Sequence, residues 1–116
     1  MAGGTMSSEQ RKQTRKEVAT RLAVVDVNTG VEIGDLANIS SDGFMVLARR
    51  ALPARSVFQL ALTLPKLIRG VDTLYFGVES LWCNPAEDQD HFWIGFHVID
   101  ISPQDSEVLA LFLESV

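Results

Sequence analysis

The sequence predicts an all-β domain: six short antiparallel strands closed into a barrel, with a C-terminal α-helix packed on one end. Three observations point there. Apolar and polar residues alternate in short runs, punctuated by Asn, Asp, Gly and Pro, which is the period-2 signature of half-buried strands. A helical pattern appears only after Ile101. No strand–helix alternation builds toward a doubly wound parallel sheet. A strongly bent open sheet is the alternative arrangement, but closure removes exposed edges, which suits a small β protein. With 116 residues, 47% hydrophobic and 22% charged, the chain makes one globular domain and is too short for two.

The elements follow in order. Residues 1–10 show no periodicity and read as a flexible tail ahead of one domain spanning 11–116. Val18, Thr20, Leu22 and Val24 share one face of a first strand, and Asn28-Thr29-Gly30 supplies a turn. A second strand covers 31–39, broken by Gly34, and Ser41-Asp42-Gly43 turns the chain into a third over 44–48. Residues 49–55 read as a loop because Pro53 opposes strand pairing. Phe58, Leu60, Leu62 and Leu64 alternate along a fourth strand that Pro65 ends. Leu74, Phe76 and Val78 mark a fifth running toward Trp82, and 84–90 is an acidic loop. Phe92, Ile94, Phe96 and Val98 define a sixth. Ser102 is then a good N-cap and Pro103 suits the first helical position. The helix spans 103–115, with Val108, Leu111 and Phe112 on its apolar face.

Composition excludes several classes. No apolar run approaches the length of a bilayer-spanning helix, and no signal-peptide core is visible near the start. The single cysteine, Cys83, cannot form an internal disulfide, which points to a reducing, cytoplasmic setting. The net charge of −5 conceals a division. Residues 1–21 hold five bases against two acids, and the rest holds five bases against thirteen acids. An acidic body repels DNA and RNA, whose binding rests on phosphate neutralisation, whereas a short basic arm matches a small anion.

Catalysis finds no support. There is no Gly-x-Ser-x-Gly elbow, phosphate-binding glycine loop or His-Glu-x-x-His pair. His91 and His97 would share a strand face, but at about 20 Å apart they could not hold one metal, so no metal site is expected. Two other elements stand out together. Arg11-Lys12-Gln13-Thr14-Arg15 has Arg-x-x-x-Arg spacing, and Asn38-Ile39-Ser40-Ser41-Asp42-Gly43 has Asn-x-Ser-x-x-Gly spacing at the end of the second strand. The second is also what any tight β-turn uses. Taken alone, Trp82 and Trp93 read as core or rim packing more readily than as ligand platforms, and Arg49, Arg50 and Arg55 read as a solvated cluster.

The two motifs in this order, with Ile94-Gly95-Phe96 late in the chain, resemble the PilZ domain family of bacterial cyclic di-GMP receptors. The likeness covers nearly the whole chain from Arg11 onward. It implies a six-stranded barrel with a C-terminal helix and no enzymatic activity or cofactor. It implies that Arg11 and Arg15, in a basic arm over 11–17, clamp the nucleotide while Asn38, Ser40 and Gly43 shape the rim. Trp82 resembles an aromatic that some members place against a guanine. Arginine forks bind phosphate oxygens or guanine edges and stack on bases, and flexible arms convert binding into a conformational signal. Ser40 offers a hydroxyl, Asn38 an acceptor and a donor, and Gly43 a positive φ with close ligand approach. As a monomer or homodimer, the chain would relay the signal to an effector protein controlling motility, pili or exopolysaccharide. The alternative is a PilZ-like interaction module that does not bind the nucleotide.

Overall fold

The computed structural model describes residues 16–18 and 20–116. Among the described residues seven strands precede one helix: β1 (Lys16–Glu17), β2 (Ala23–Asp26), β3 (Glu32–Ile39), β4 (Gly43–Ala48), β5 (Val57–Ile68), β6 (Val71–Pro85), β7 (Phe92–Asp100) and α1 (Pro103–Ser115). Six of them close into an antiparallel barrel in the order β3-β2-β5-β6-β7-β4, with β4 pairing back onto β3. The expected architecture is therefore observed, with β1 added beside β3.

Alternation explains the walls. Phe44 and Val46 of β4, Ile94 and Phe96 of β7, Phe76 and Val78 of β6, and Leu60 and Leu62 of β5 all point inward and are essentially buried. Phe44 lies 5.2 Å from Phe76 and 5.5 Å from Phe96, centroid to centroid, and Phe58 meets Phe96 edge-on at 6.2 Å. Such aromatic pairs contribute roughly 0.5–1.5 kcal/mol each beyond the area they bury. They stiffen the wall shared by β4, β6 and β7.

The helix closes the end that carries the β5–β6 hairpin. The Ser102 Oγ accepts from the Asp105 N–H at 3.0 Å, as an N-cap should, and Pro103 follows it. Asp105 then accepts from the Tyr75 N–H at 3.0 Å, tying the first turn to β6, and Val108, Leu109 and Phe112 are buried in the core. The hairpin itself turns through Arg69 and Gly70, both at positive φ (52° and 78°), which matches the right-handed twist of the flanking strands.

Several boundaries differ from the periodicity, each for a reason of pairing. The expected first strand is two pieces. Val18 N–H donates to Ala37 and Leu36 N–H donates to Leu22, so the residues between leave the ladder while Leu22 still faces the core. Gly34 does not break β3. It lies opposite Ala48, and a Cβ there would collide with the backbone of Leu47 and Ala48, so the glycine permits the close approach of two strands. Pro65 does not end β5. The strand continues to Ile68 through a register irregularity after Thr63, where a missing N–H is tolerated. β6 reaches Pro85, leaving 86–91 as the loop. His91 lies in that loop, outside β7, so it does not share a strand face with His97.

Candidate functional site

The turn joining β3 to β4 is internally complete. Ser40 N–H donates to the Gly43 carbonyl at 2.9 Å, and Ser40 Oγ donates to the same oxygen at 3.2 Å. The Asp42 N–H in turn donates to Ser40 Oγ at 3.3 Å. Ser40 is 3% exposed, so its hydroxyl organises the turn from within. Val98 N–H donates to the Asp42 carbonyl at 2.8 Å and fastens the turn to β7. Gly43 differs from the sequence expectation. Among the described residues the positive-φ glycines are Gly30 and Gly70, and Gly43 is not one of them. Its hydrogen is required because a Cβ would run into the Phe96 carbonyl oxygen.

Register assembles the rest of the face. Asn38 pairs with Met45 across β3 and β4, Met45 with Gly95 across β4 and β7, and Gly95 with Trp82 across β7 and β6. Met45 and Gly95 flank the inward Phe44, Ile94 and Phe96, so this row lies on the outside of the barrel. Three strand spacings separate Asn38 from Trp82, roughly 14 Å. A second row runs beside it, from Gly43 to His97 to Glu79. A bulge between Ser80 and Trp82 places Trp82 opposite Gly95, where a Cβ would stand 2.5 Å from the indole. The indole therefore lies on bare backbone, and Trp82 remains 38% exposed. One face of the ring rests on the sheet, and exposed ring surface remains for a partner.

The face also receives the start of the described chain. Glu17 pairs with Asn38 and Lys16 with Ile39, the residue before Ser40. Arg11 and Arg15 lie outside the described residues, and Arg15 immediately precedes Lys16 in sequence. Asn38 is 8% exposed between β1 and β4. Sequence reasoning did not assign roles to Met45, Gly95 as the seat of Trp82, or His97. Their outward positions were legible from alternation, but their juxtaposition is a matter of register.

Elsewhere, Arg49, Arg50, Val31, Ile33 and Leu52 line a groove of about 360 Å³ at the other end of β4, to which none of Asn38, Ser40 and Gly43 contributes. In the 86–91 loop the Asp88 carboxylate accepts from His91 Nδ1 at 2.8 Å and from the Asp90 N–H at 3.0 Å. The His91 hydrogen bond, then the Asp90 amide, holds the Asp88 carboxyl below its usual range. Among the described residues no group of three or more His, Cys, Asp or Glu is placed to hold a metal ion, and no helix is long and apolar enough to cross a membrane.

A closed six-stranded barrel, capped by a C-terminal helix and bearing a polar turn beside an outward-lying indole, defines a small β-barrel module with an open outer face. The chain belongs to the PilZ domain family, whose model matches residues 9–115. No curated protein matches it. Solved structures share the fold. The inhibitor of motility MotI/DgrA from Bacillus subtilis superposes with a TM-score of 0.71 at 14% identity, over 91% of this chain and 50% of that one. YcgR from Escherichia coli in complex with c-di-GMP gives 0.71 at 14% identity, over 91% of this chain and 45% of that one. The PilZ domain of YcgR with c-di-GMP gives 0.62 at 12% identity, over 91% and 94%. The chain thus spans about half the length of the first two.

Proposed function

We propose that this chain is a non-enzymatic, cytoplasmic cyclic di-GMP receptor whose arginine arm closes over the nucleotide and relays the signal to a partner protein. Processes of the kind named for MotI, motility above all, with pili or exopolysaccharide as further outputs, are the expected targets. Membership of the PilZ family and fold neighbours solved with c-di-GMP support the ligand. One observation carries the mechanism. β1 joins the sheet at Asn38 and Ile39 within the second motif, and Arg15 immediately precedes β1 in sequence.

The chemistry follows from the parts. Cyclic di-GMP presents two phosphodiester charges and two guanines. Arg11 and Arg15 supply planar donors for phosphate oxygens or guanine edges, and Trp82 supplies a stacking surface. Gly43 and Gly95 place no side chain of their own on that face, where Met45 and His97 stand as their cross-strand partners. Asn38 and the rigid turn of Ser40 set the rim. Closure of the arm changes the surface shown to a partner, which is how binding becomes a signal.

Calorimetry with cyclic di-GMP tests the reading. The double variant Arg11→Ala, Arg15→Ala is expected to lose at least 100-fold in affinity, about 2.7 kcal/mol, with an unchanged melting temperature. Undiminished affinity would remove the arm from the mechanism, and absence of heat from the unaltered protein at tens of micromolar ligand would remove the ligand.

A further inference from the structure

The outer face contains one titratable donor that the two sequence motifs do not include. His97 of β7 is exposed and stands opposite Gly43 on one side and Glu79 on the other. Gly95, two residues earlier on the same face, seats Trp82. His97 therefore lies on the outer face between the motif turn and the indole. Among the described residues its ring has no hydrogen-bond or ion-pair partner, whereas His91 is held by Asp88 at 2.8 Å. The Ser40 hydroxyl, the obvious neutral donor, is engaged inside its turn.

We infer that His97 is a further ligand-contacting residue, donating to a phosphodiester or guanine oxygen of the bound dinucleotide and contributing a positive charge when protonated. The inference rests on the cyclic di-GMP reading and deepens it by making affinity pH-dependent. Among the described residues, the charged groups nearest this position are Glu79 on β6, paired with His97 and approached by Arg55 of the β4–β5 loop at 3.7 Å, and Asp42, which precedes Gly43 in the motif turn. Among the described residues, two carboxylates against one guanidinium leave this corner net negative, unfavourable for an arriving dianion. An imidazolium offsets that balance. Carboxylates, guanidinium groups and phosphodiesters keep their charges between pH 6 and 8, and histidine is the side chain that changes there.

Titration calorimetry of the full chain with cyclic di-GMP at pH 6.0 and 8.0 tests it, with His97→Gln, His97→Arg and His91→Gln alongside. The unaltered protein is expected to bind about fivefold more tightly at pH 6.0, the worth of one partly exposed charge-assisted contact. His97→Gln should bind equally at both pH values, and His97→Arg should bind at both with the tighter constant. His91→Gln should keep the original pH dependence. Binding that is equally tight at both pH values in the unaltered chain, or a pH dependence that survives His97→Gln, would overturn the role of His97 while leaving the receptor intact. No binding at either pH would overturn the receptor reading and this inference together.

Discussion

The two ends of β4 present opposite solutions to binding. At the Ala48 end the surface is a groove, but its charges are largely matched. Arg49 lies 3.4 Å from Glu32, and the Asp26 carboxylate accepts from the Asn28 N–H at 2.8 Å. At the Gly43 end the surface is a stretch of outer sheet, floored by Gly43, Met45 and Gly95, with an open indole and an imidazole that has no partner among the described residues. The difference teaches that concavity is not what marks the site. An open face holds a small dianion firmly only if something closes over it, which is the part proposed above for the arginine arm that precedes β1 in sequence.

Four substitutions break or sharpen that contrast, from the largest effect to the smallest. Gly43→Ala forces a Cβ into the Phe96 carbonyl and is expected to destabilise the fold by about 3 kcal/mol, read by chemical denaturation. An unchanged midpoint would mean that the β4–β7 contact is looser than its geometry. Trp82→Ala should weaken cyclic di-GMP about tenfold, close to 1.4 kcal/mol, because base stacking on an aromatic is worth roughly that much. Its fold stability should fall by less, since the ring is already 38% exposed, and wild-type affinity in that variant would remove the stacking platform. Arg50→Ala, in the groove, should leave nucleotide affinity within about twofold, the scale of an exposed charge remote from the ligand. A large loss there would move the site to the wrong end of β4.

The smallest effect concerns Asp88. Its folded pKa is lowered, chiefly by the His91 hydrogen bond, so the stabilisation it brings is present above the ordinary carboxylate value and is lost as pH falls through the lowered one. Asp88→Asn should therefore show a slightly lower melting temperature near neutral pH, and the gap should close in acid. A gap that widens in acid would reverse the sign of that linkage. Nucleotide affinity should not change.

Most of the fold was legible because alternation and capping are local. Phe44, Val46, Leu60, Leu62, Ile94 and Phe96 announced their inward face, and Ser102-Pro103 announced the helix to the residue. What the residues withheld was pairing. That Val18 and Leu22 contact successive carbonyl and amide groups of β3, that Pro65 sits inside a strand, and that Ser80 precedes a bulge are decided by the neighbouring strand. The site divides the same way. Asn38, Ser40 and Gly43 were visible as a motif, but Gly43 serves by admitting the Phe96 carbonyl rather than through a positive φ. The seat that Gly95 provides for Trp82 depends on a register no local spacing reveals. Arg11 and Arg15 lie outside the described residues, so their part rests on the motif and on where β1 begins.

Amide and indole NMR during titration with cyclic di-GMP is the most direct measurement. Saturable shifts are expected along residues 11–17 and 38–43, at Gly95 and at the Trp82 indole N–H, while Arg49, Arg50 and Leu52 stay in place. Saturable shifts confined to the groove around Arg49 and Arg50, with the Trp82 indole and the 38–43 turn unmoved, would contradict a receptor that works on the outer face.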